Sequence, residues 1–466
     1  MPNMKSKFSF CGTTLKLVLL AIAVLLVVPS AKAVPSYSRQ TGLPCSACHY
    51  APPELNAFGR KFKLEAYSFM TKPEISDGDE KDSKDKKNKA DHNAALHILE
   101  AFPISFIFDT SFSSLKSPQP ATQNGNFQFP QAASIFLAGA WGRNVGSFVQ
   151  ITYSSQKDHF SWDNTDIRFA KNTGKLFGKP LTYGVTFNNN PTVEDLWNST
   201  PAWGYPFIST NVAPSPSAGA IINGRLAQDV AGLGGYTMWN DHLYLGGTIY
   251  RSEHIGGSQP NPGTGFAFNV RGVAPYGRIA YETSSKNNNL EIGAYGIHVK
   301  SSPNAITGPE DGYTDFAGDF QYDRTLPQFK GDVLSVRGTF IRENTSLAAT
   351  FAGGGATSAR HHLNTAQANV EYHFGTKFSG TGGFFNITGT ADPLLYAQGP
   401  VSGSASGSPG SNGYLLNFSY WPQQNIDLAV QYTGYTKFNG GNKNYDGAGR
   451  NASANNSTYV LVRFVF

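Results

Sequence analysis

Apolar and polar residues alternate with a period of two along most of this chain. Near the C-terminus Tyr414, Leu416, Phe418 and Tyr420 interleave with Leu415, Asn417 and Ser419, and in the next segment Ile426, Leu428, Val430 and Tyr432 alternate with Asp427, Ala429, Gln431 and Thr433. Upstream, Leu334, Val336 and Phe340 alternate with Ser335, Arg337 and Thr339, and Val370, Tyr372 and Phe374 with Asn369, Glu371 and His373. Successive strand residues face opposite ways, so each segment predicts a strand with one apolar and one wet side. From Ala94 to Phe466 such segments, roughly ten residues long, follow one another between Gly, Asn, Pro and Ser.

Two architectures alternate in this way: a soluble β-sandwich or propeller, and a transmembrane barrel whose polar set lines a lumen. Aromatic residues recur at the ends of the segments, as interfacial girdles require, and Val460, Val462, Phe464 and Phe466 end the chain on one face. The fold class expected is therefore all-β: an outer-membrane β-barrel of about 16 antiparallel strands, since the segments number about 14 to 18 and single-chain bacterial barrels use even numbers. Outer-membrane lipid is then a partner.

The first 93 residues break the pattern. Lys5 and Lys7 precede an apolar run from Leu17 to Val28, followed by Pro29-Ser30-Ala31-Lys32-Ala33. That order reads as a signal peptide over residues 1–33; an uncleaved anchor would need a longer span, near 20 residues. Cys11 leaves with it. Residues 34–70 form a compact segment around Cys45-Ser46-Ala47-Cys48-His49. Residues 71–93, with Asp77-Gly78-Asp79-Glu80-Lys81-Asp82 at their centre, bury nothing apolar and read as a charged, disordered linker, against which a solvated helix competes. The barrel is assigned to 94–466.

Composition fits a chain that lives in lipid yet looks polar. Charged residues make up 15% of 466, with 50 Gly and 13% aromatics, and mean hydropathy is -0.30. A soluble protein of this size is seldom so poor in charge. The net charge of +5 is diffuse and argues for no nucleic acid.

Candidate chemistry lies in the compact segment. In Cys45-x-x-Cys48-His49 two thiols are spaced to add across the vinyl groups of one haem, and the adjacent His49 is placed to ligate its iron. A redox-active disulfide is the competing reading, but that motif opens a helix in a thioredoxin-like unit, and none is visible. One covalent haem c is expected. After Pro52-Pro53, Leu55, Phe58, Phe62 and Ala66 recur at helical spacing, which suits a helix laying an apolar stripe on a porphyrin, with Arg39 or Arg60 pairing a propionate. Fewer than about 40 residues bury too little surface to enclose a haem alone, so the segment needs a partner surface, and the lumen is the evident one. Met70, His92 and His97 are candidates for the sixth iron ligand, beside an open position or another ligand. His361-His362 reads as lumen or loop, because neighbours on a strand face opposite ways. The long connection from Asn188 to Ala218 carries Trp197, Trp203, Tyr205 and Phe207; it either folds inward to narrow the pore or stays outside, and Asn190 is placed to cap a short helix at Pro191.

Val34-Pro35-Ser36-Tyr37-Ser38-Arg39-Gln40-Thr41-Gly42, then Cys45 to His49, then Pro53-Glu54-Leu55-Asn56-Ala57-Phe58-Gly59-Arg60-Lys61-Phe62-Lys63, resembles the N-terminus of the fused cytochrome-porins. These are outer-membrane monohaem proteins known from bacteria that oxidise extracellular ferrous iron. The stretches from Asn188 to Thr192 and from Trp203 to Pro206 are similar to such porins too. Ala66 departs from the pattern, which has Gly before Tyr67, and puts the local helix ending in question. The resemblance implies electron transfer from an extracellular donor such as Fe(II) to a periplasmic cytochrome or other soluble carrier, an Fe(II):cytochrome c oxidoreductase activity being the enzymatic form. Two other functions compete: a diffusion porin with a haem-bearing plug or redox gate, and a soluble haem enzyme, for which no catalytic constellation can be found.

Overall fold

The computed structural model describes residues 35–50, 52–69, 103–155, 158–197, 212–227, 229–252, 269–303 and 308–466. The signal peptide, the charged linker, Met70, His92, His97, Trp203, Tyr205 and Phe207 lie outside the described residues.

Alternation turns into sheet, and the sheet closes on itself. Among the described residues there are sixteen strands: β1 (Ile104–Leu115), β2 (Asn126–Gly142), β3 (Val145–Ser154), β4 (His159–Leu176), β5 (Lys179–Asn188), β6 (Val230–Trp239), β7 (Leu243–Ser252), β8 (Ala274–Ser284), β9 (Asn288–Ser301), β10 (Asp311–Leu326), β11 (Asp332–Ser346), β12 (Arg360–Phe374), β13 (Phe378–Gly389), β14 (Ser411–Gln423), β15 (Ile426–Lys437) and β16 (Ser457–Val465). Each pairs antiparallel with its neighbours in sequence, and β1 pairs with β16 to close the barrel. At the seam Phe106 and Phe466 exchange backbone hydrogen bonds of 3.0 and 2.8 Å. Closure leaves no unpaired strand edge, which is what a sheet needs in lipid.

The two faces sort as the pattern predicts. Phe418 is 51% exposed and Val430 48%, whereas the intervening Ser419, Gln431 and Thr433 are at most 2% exposed. Likewise Val370 and Phe374 face out, and Glu371 and His373 face in. An apolar exterior around a polar interior defines the outer-membrane barrel, and this chain sits in the outer membrane.

The ends of the barrel differ. Turns of two or three residues, at Arg143–Asn144, Phe177–Gly178, Asn240–His242, Ser285–Asn287, Gly375–Lys377 and Gln424–Asn425, all lie at the end where β1 begins and β16 finishes. The opposite end carries the long connections, 189–229 and 438–456 among them. In bacterial barrels short turns face the periplasm and long loops the outside.

The N-terminal segment is a plug within the lumen at the short-turn end. It comprises α1 (Ser36–Thr41), a 3-10 turn (Cys45–Ala47) and α2 (Ala57–Leu64). Asn56 caps α2, its side chain accepting from Gly59 N at 2.9 Å. Ala66 and Tyr67 both adopt left-handed backbone (φ 59° and 57°), and Tyr67 N donates to Phe62 O at 2.9 Å. The helix therefore ends without the glycine that such a cap favours.

Candidate functional site

Three local features hold the Cys45–His49 turn. Asn56 Nδ2 donates to Ala47 O at 2.9 Å, and Asn56 N donates to Cys48 O at 2.9 Å, so one residue both caps α2 and ties it to the motif. Gly59 lies so close that a Cβ there would stand 2.2 Å from Cys48 O. His49 Nδ1 lies 3.2 Å from Glu54 O. A carbonyl only accepts, so the proton is on Nδ1 and the lone pair is on Nε2, the arrangement that metal-ligating histidines adopt. Burial pushes the imidazole down to about 4, against the opposing backbone contacts of Glu54 and Pro53, and keeps it neutral.

Cys45 and Cys48 are free, half-buried thiols. Burial raises both, Cys48 to about 11 with Cys45 adding to the effect. Redox-active dithiols have lowered pKa values. This pair departs from that pattern.

The motif opens on a cavity of about 220 Å³ lined by Cys45, Cys48, His49, Tyr37, Leu55 and Phe62. Facing them are Ile107, Phe136, Ala138, Phe148 and Val465 from β1, β2, β3 and β16, with Ser105, Gln424 and Arg463 at the edge of the same wall. A barrel interior is ordinarily polar, and here five apolar side chains gather in one sector opposite the two thiols and the imidazole. Such a wall fits the face of a porphyrin. Sequence reasoning missed these five residues, although Ile135-Phe136-Leu137-Ala138 carries the signal: a strand apolar on both faces in a chain that otherwise alternates.

The other sequence candidates are dispersed. Arg39 donates to Ile104 O. Phe58 packs on Phe69, with ring centroids 4.9 Å apart. Ala66 is buried with Leu64, Trp197, Tyr236 and Tyr244. Arg60, expected beside a propionate, is instead turned to the barrel wall: Nη2 donates to Glu282 Oε1 at 2.7 Å and to Asn289 Oδ1 at 2.6 Å, and Nη1 to Leu55 O at 2.7 Å. The plug is fastened all round. Tyr37 OH donates to Ser147 O at 2.7 Å, Tyr67 OH to Asp166 Oδ2 at 2.6 Å, Tyr236 OH to Leu64 O at 2.8 Å, and Arg337 pairs with Glu54. Burial pushes the Glu54 carboxyl up, Arg337 opposes this, and Glu371 beside it pushes the same way.

The connection after β5 folds inward. Its short helix α3 (Pro191–Glu194), capped by Asn190, is buried, and Lys63 Nζ donates to Val193 O at 2.5 Å and Asp195 O at 2.9 Å. Trp197 Nε1 donates to Glu282 Oε2 at 3.1 Å. Further along, Ile221 N and Ile222 N donate to Glu343 and Asp315 across the lumen. His361 and His362 point apart: His361 Nε2 meets Asp392 Oδ2 at 2.9 Å, while His362 is exposed beside Thr390.

A closed sixteen-stranded barrel with an inward connection and a lumen plug is a porin-like outer-membrane protein. Among solved structures the chain is similar to OmpF of Salmonella typhi (9% identity, TM-score 0.46, 78% of this chain and 97% of that one). It is also similar to the channel DcaP of Acinetobacter baumannii (10%, 0.45, 78% and 96%) and an anion-selective porin from Comamonas acidovorans (12%, 0.45, 78% and 98%). No family model matches the chain, and no curated protein does.

Proposed function

We propose that this protein carries electrons across the outer membrane through one haem c, attached at Cys45 and Cys48 and ligated by His49, from an extracellular donor such as Fe(II) to a soluble periplasmic carrier. The observation that carries this reading is the pairing of a neutral His49, its Nε2 lone pair available, with an apolar wall in an otherwise polar lumen.

Haem c held there supplies a one-electron redox centre. The chain's residues do the rest. Glu54 O fixes the imidazole tautomer. Ile107, Phe136, Phe148 and Val465 exclude water from one side of the cavity, and a dry surround raises the preference of the site for the less charged state. Arg60, Tyr67 and Glu54 hold the plug in the barrel. The short-turn end faces the periplasm, so a soluble carrier has the shorter approach to the motif, while an external donor enters through the lumen.

The experiment is a visible-light redox titration of purified protein with and without Fe(II), beside haem-stained denaturing gels. Wild type is expected to stain and to be reduced in a single one-electron step. His49→Ala is expected to insert into the outer membrane and lose donor-dependent reduction. Staining that survives Cys45→Ala with Cys48→Ala, or normal donor oxidation by His49→Ala, refutes the reading and leaves a plugged porin.

A further inference from the structure

A second cavity, of about 330 Å³, lies in the lumen between the plug and the inward connection, with Glu54, Trp197, Glu291, Asp319, Gln321 and Arg337 in its wall. Its charges do not balance. In the network around it Arg60 serves Glu282 and Asp323, Arg278 serves Glu291, Asp319 and Asp195, and Arg337 serves Glu54, which is itself bonded to Glu371. Seven carboxyl groups thus share three guanidiniums. Buried carboxylates in excess of their partners call for protons or for a cation.

A second observation favours the cation. Glu291 Oε2 and Gln321 Oε1, on residues 0% and 2% exposed, have no hydrogen-bond partner, and both residues line the cavity. The half-buried Asn369 adds an unpartnered Oδ1 to the same wall. A proton on Glu291 would satisfy one of these atoms. It would do nothing for the two amide oxygens, which only accept. Arg337 is the one basic side chain among the lining residues; its Nη1 is engaged with Glu54, while its Nε and Nη2 have no partner and reach none of these three oxygens.

We infer that this cavity binds a hydrated divalent cation, held by the carboxylates of Glu291 and Glu54 and the amide oxygen of Gln321. Oxygen ligands of this kind suit hard divalent ions. Among the described residues no three His, Cys, Asp or Glu side chains converge as direct ligands, so the ion keeps most of its water and meets the wall through it. The site also touches the motif, because the residue whose side chain faces the cavity, Glu54, is the one whose carbonyl holds His49. The physiological ion, ferrous iron, rests on the electron-transfer reading; the site itself rests on these oxygens.

The probe is Mn²⁺, redox-inert here and read by electron paramagnetic resonance on detergent-solubilised, haem-loaded protein. Wild type is expected to quench the free-ion signal with one ion per chain, and Glu291→Gln and Gln321→Leu to weaken that binding about tenfold, each checked for folding by heat-modifiable gel mobility. Absence of a stoichiometric ion in wild type, or wild-type affinity in a folded variant, overturns the site. Haem staining and Fe(II) reduction of the same samples separate the two ideas. Mn²⁺ binding without haem reduction refutes electron transfer alone, and reduction without Mn²⁺ binding refutes the cation site alone.

Discussion

Arg60 of the plug meets Glu282 of β8 at 2.7 Å, an ion pair with both partners buried and 222 residues apart in the chain. Asn289 and Leu55 O complete the guanidinium's bonds. Removing one member of such a pair strands the other charge and costs about 3–5 kcal/mol. Arg60→Met is therefore expected to release the plug while leaving the strands intact. Limited proteolysis checks it: cleavage near α2 should appear in the variant and not in wild type, while the barrel keeps its heat-modifiable mobility. An unchanged digestion pattern would show that the plug does not depend on this contact.

Lys63 gives the plug a pH dependence. Burial, with Arg168 nearby, holds its ammonium down to about 8, although Asp166, Asp195 and Glu194 act the other way. The folded value is below the unfolded value of 10.5. Between those limits the unfolded chain binds more protons, so stability rises with pH; below pH 8 the penalty is fully present, on the order of 3 kcal/mol. Protease resistance of the plug should increase from pH 8 to pH 10.5, and Lys63→Met should flatten that increase. A variant with the wild-type slope would remove Lys63 as its source.

Trp197 clamps the inward connection. It is buried, its ring lies 5.3 Å from that of Tyr244 and 4.7 Å beneath the Arg278 guanidinium, and it bonds Glu282. Truncating a buried Trp costs about 3–5 kcal/mol. Trp197→Ala is expected to loosen the constriction and raise single-channel conductance in planar bilayers several-fold. Wild-type conductance would mean that the connection does not limit the lumen.

Phe466 closes the seam through two backbone bonds to Phe106, and its ring stacks on that of Phe464 at 6.3 Å. Deleting it leaves an open edge at the last rung of β1 and β16. The folded fraction recovered from outer membranes should fall several-fold. Full recovery would place the closing interaction elsewhere on β16.

Much of the fold was legible because strand alternation is local. Asn417, Ser419, Gln431 and Thr433 declared the lumen face within their own segments, and turn residues divided one segment from the next. The Cys45–His49 turn was equally local. What the sequence did not disclose depends on closure: Arg60 finds Glu282, and Tyr67 finds Asp166, only once β4 and β8 stand across a lumen from one another. The expectation that Arg60 faces a propionate rested on its position after the motif. The structure shows its bonds to Glu282 and Asn289. The apolar sector is a middle case, since Phe136 and Ala138 are visibly out of pattern, but their convergence with Ile107, Phe148 and Val465 requires the register of four strands.

The seam between Phe106 and Phe466 also sets a calendar for biogenesis. The plug precedes every described strand in the chain, its contacts run from β1 through β12, and β16 joins the wall around its cavity only when the seam closes. From that moment the half-buried Cys45 and Cys48 line a walled cavity. On the proposal that haem c is joined to those two sulfurs, attachment belongs to the open chain, which would make the enzyme that installs it and the machinery that folds the sheet successive customers of the same unfolded intermediate.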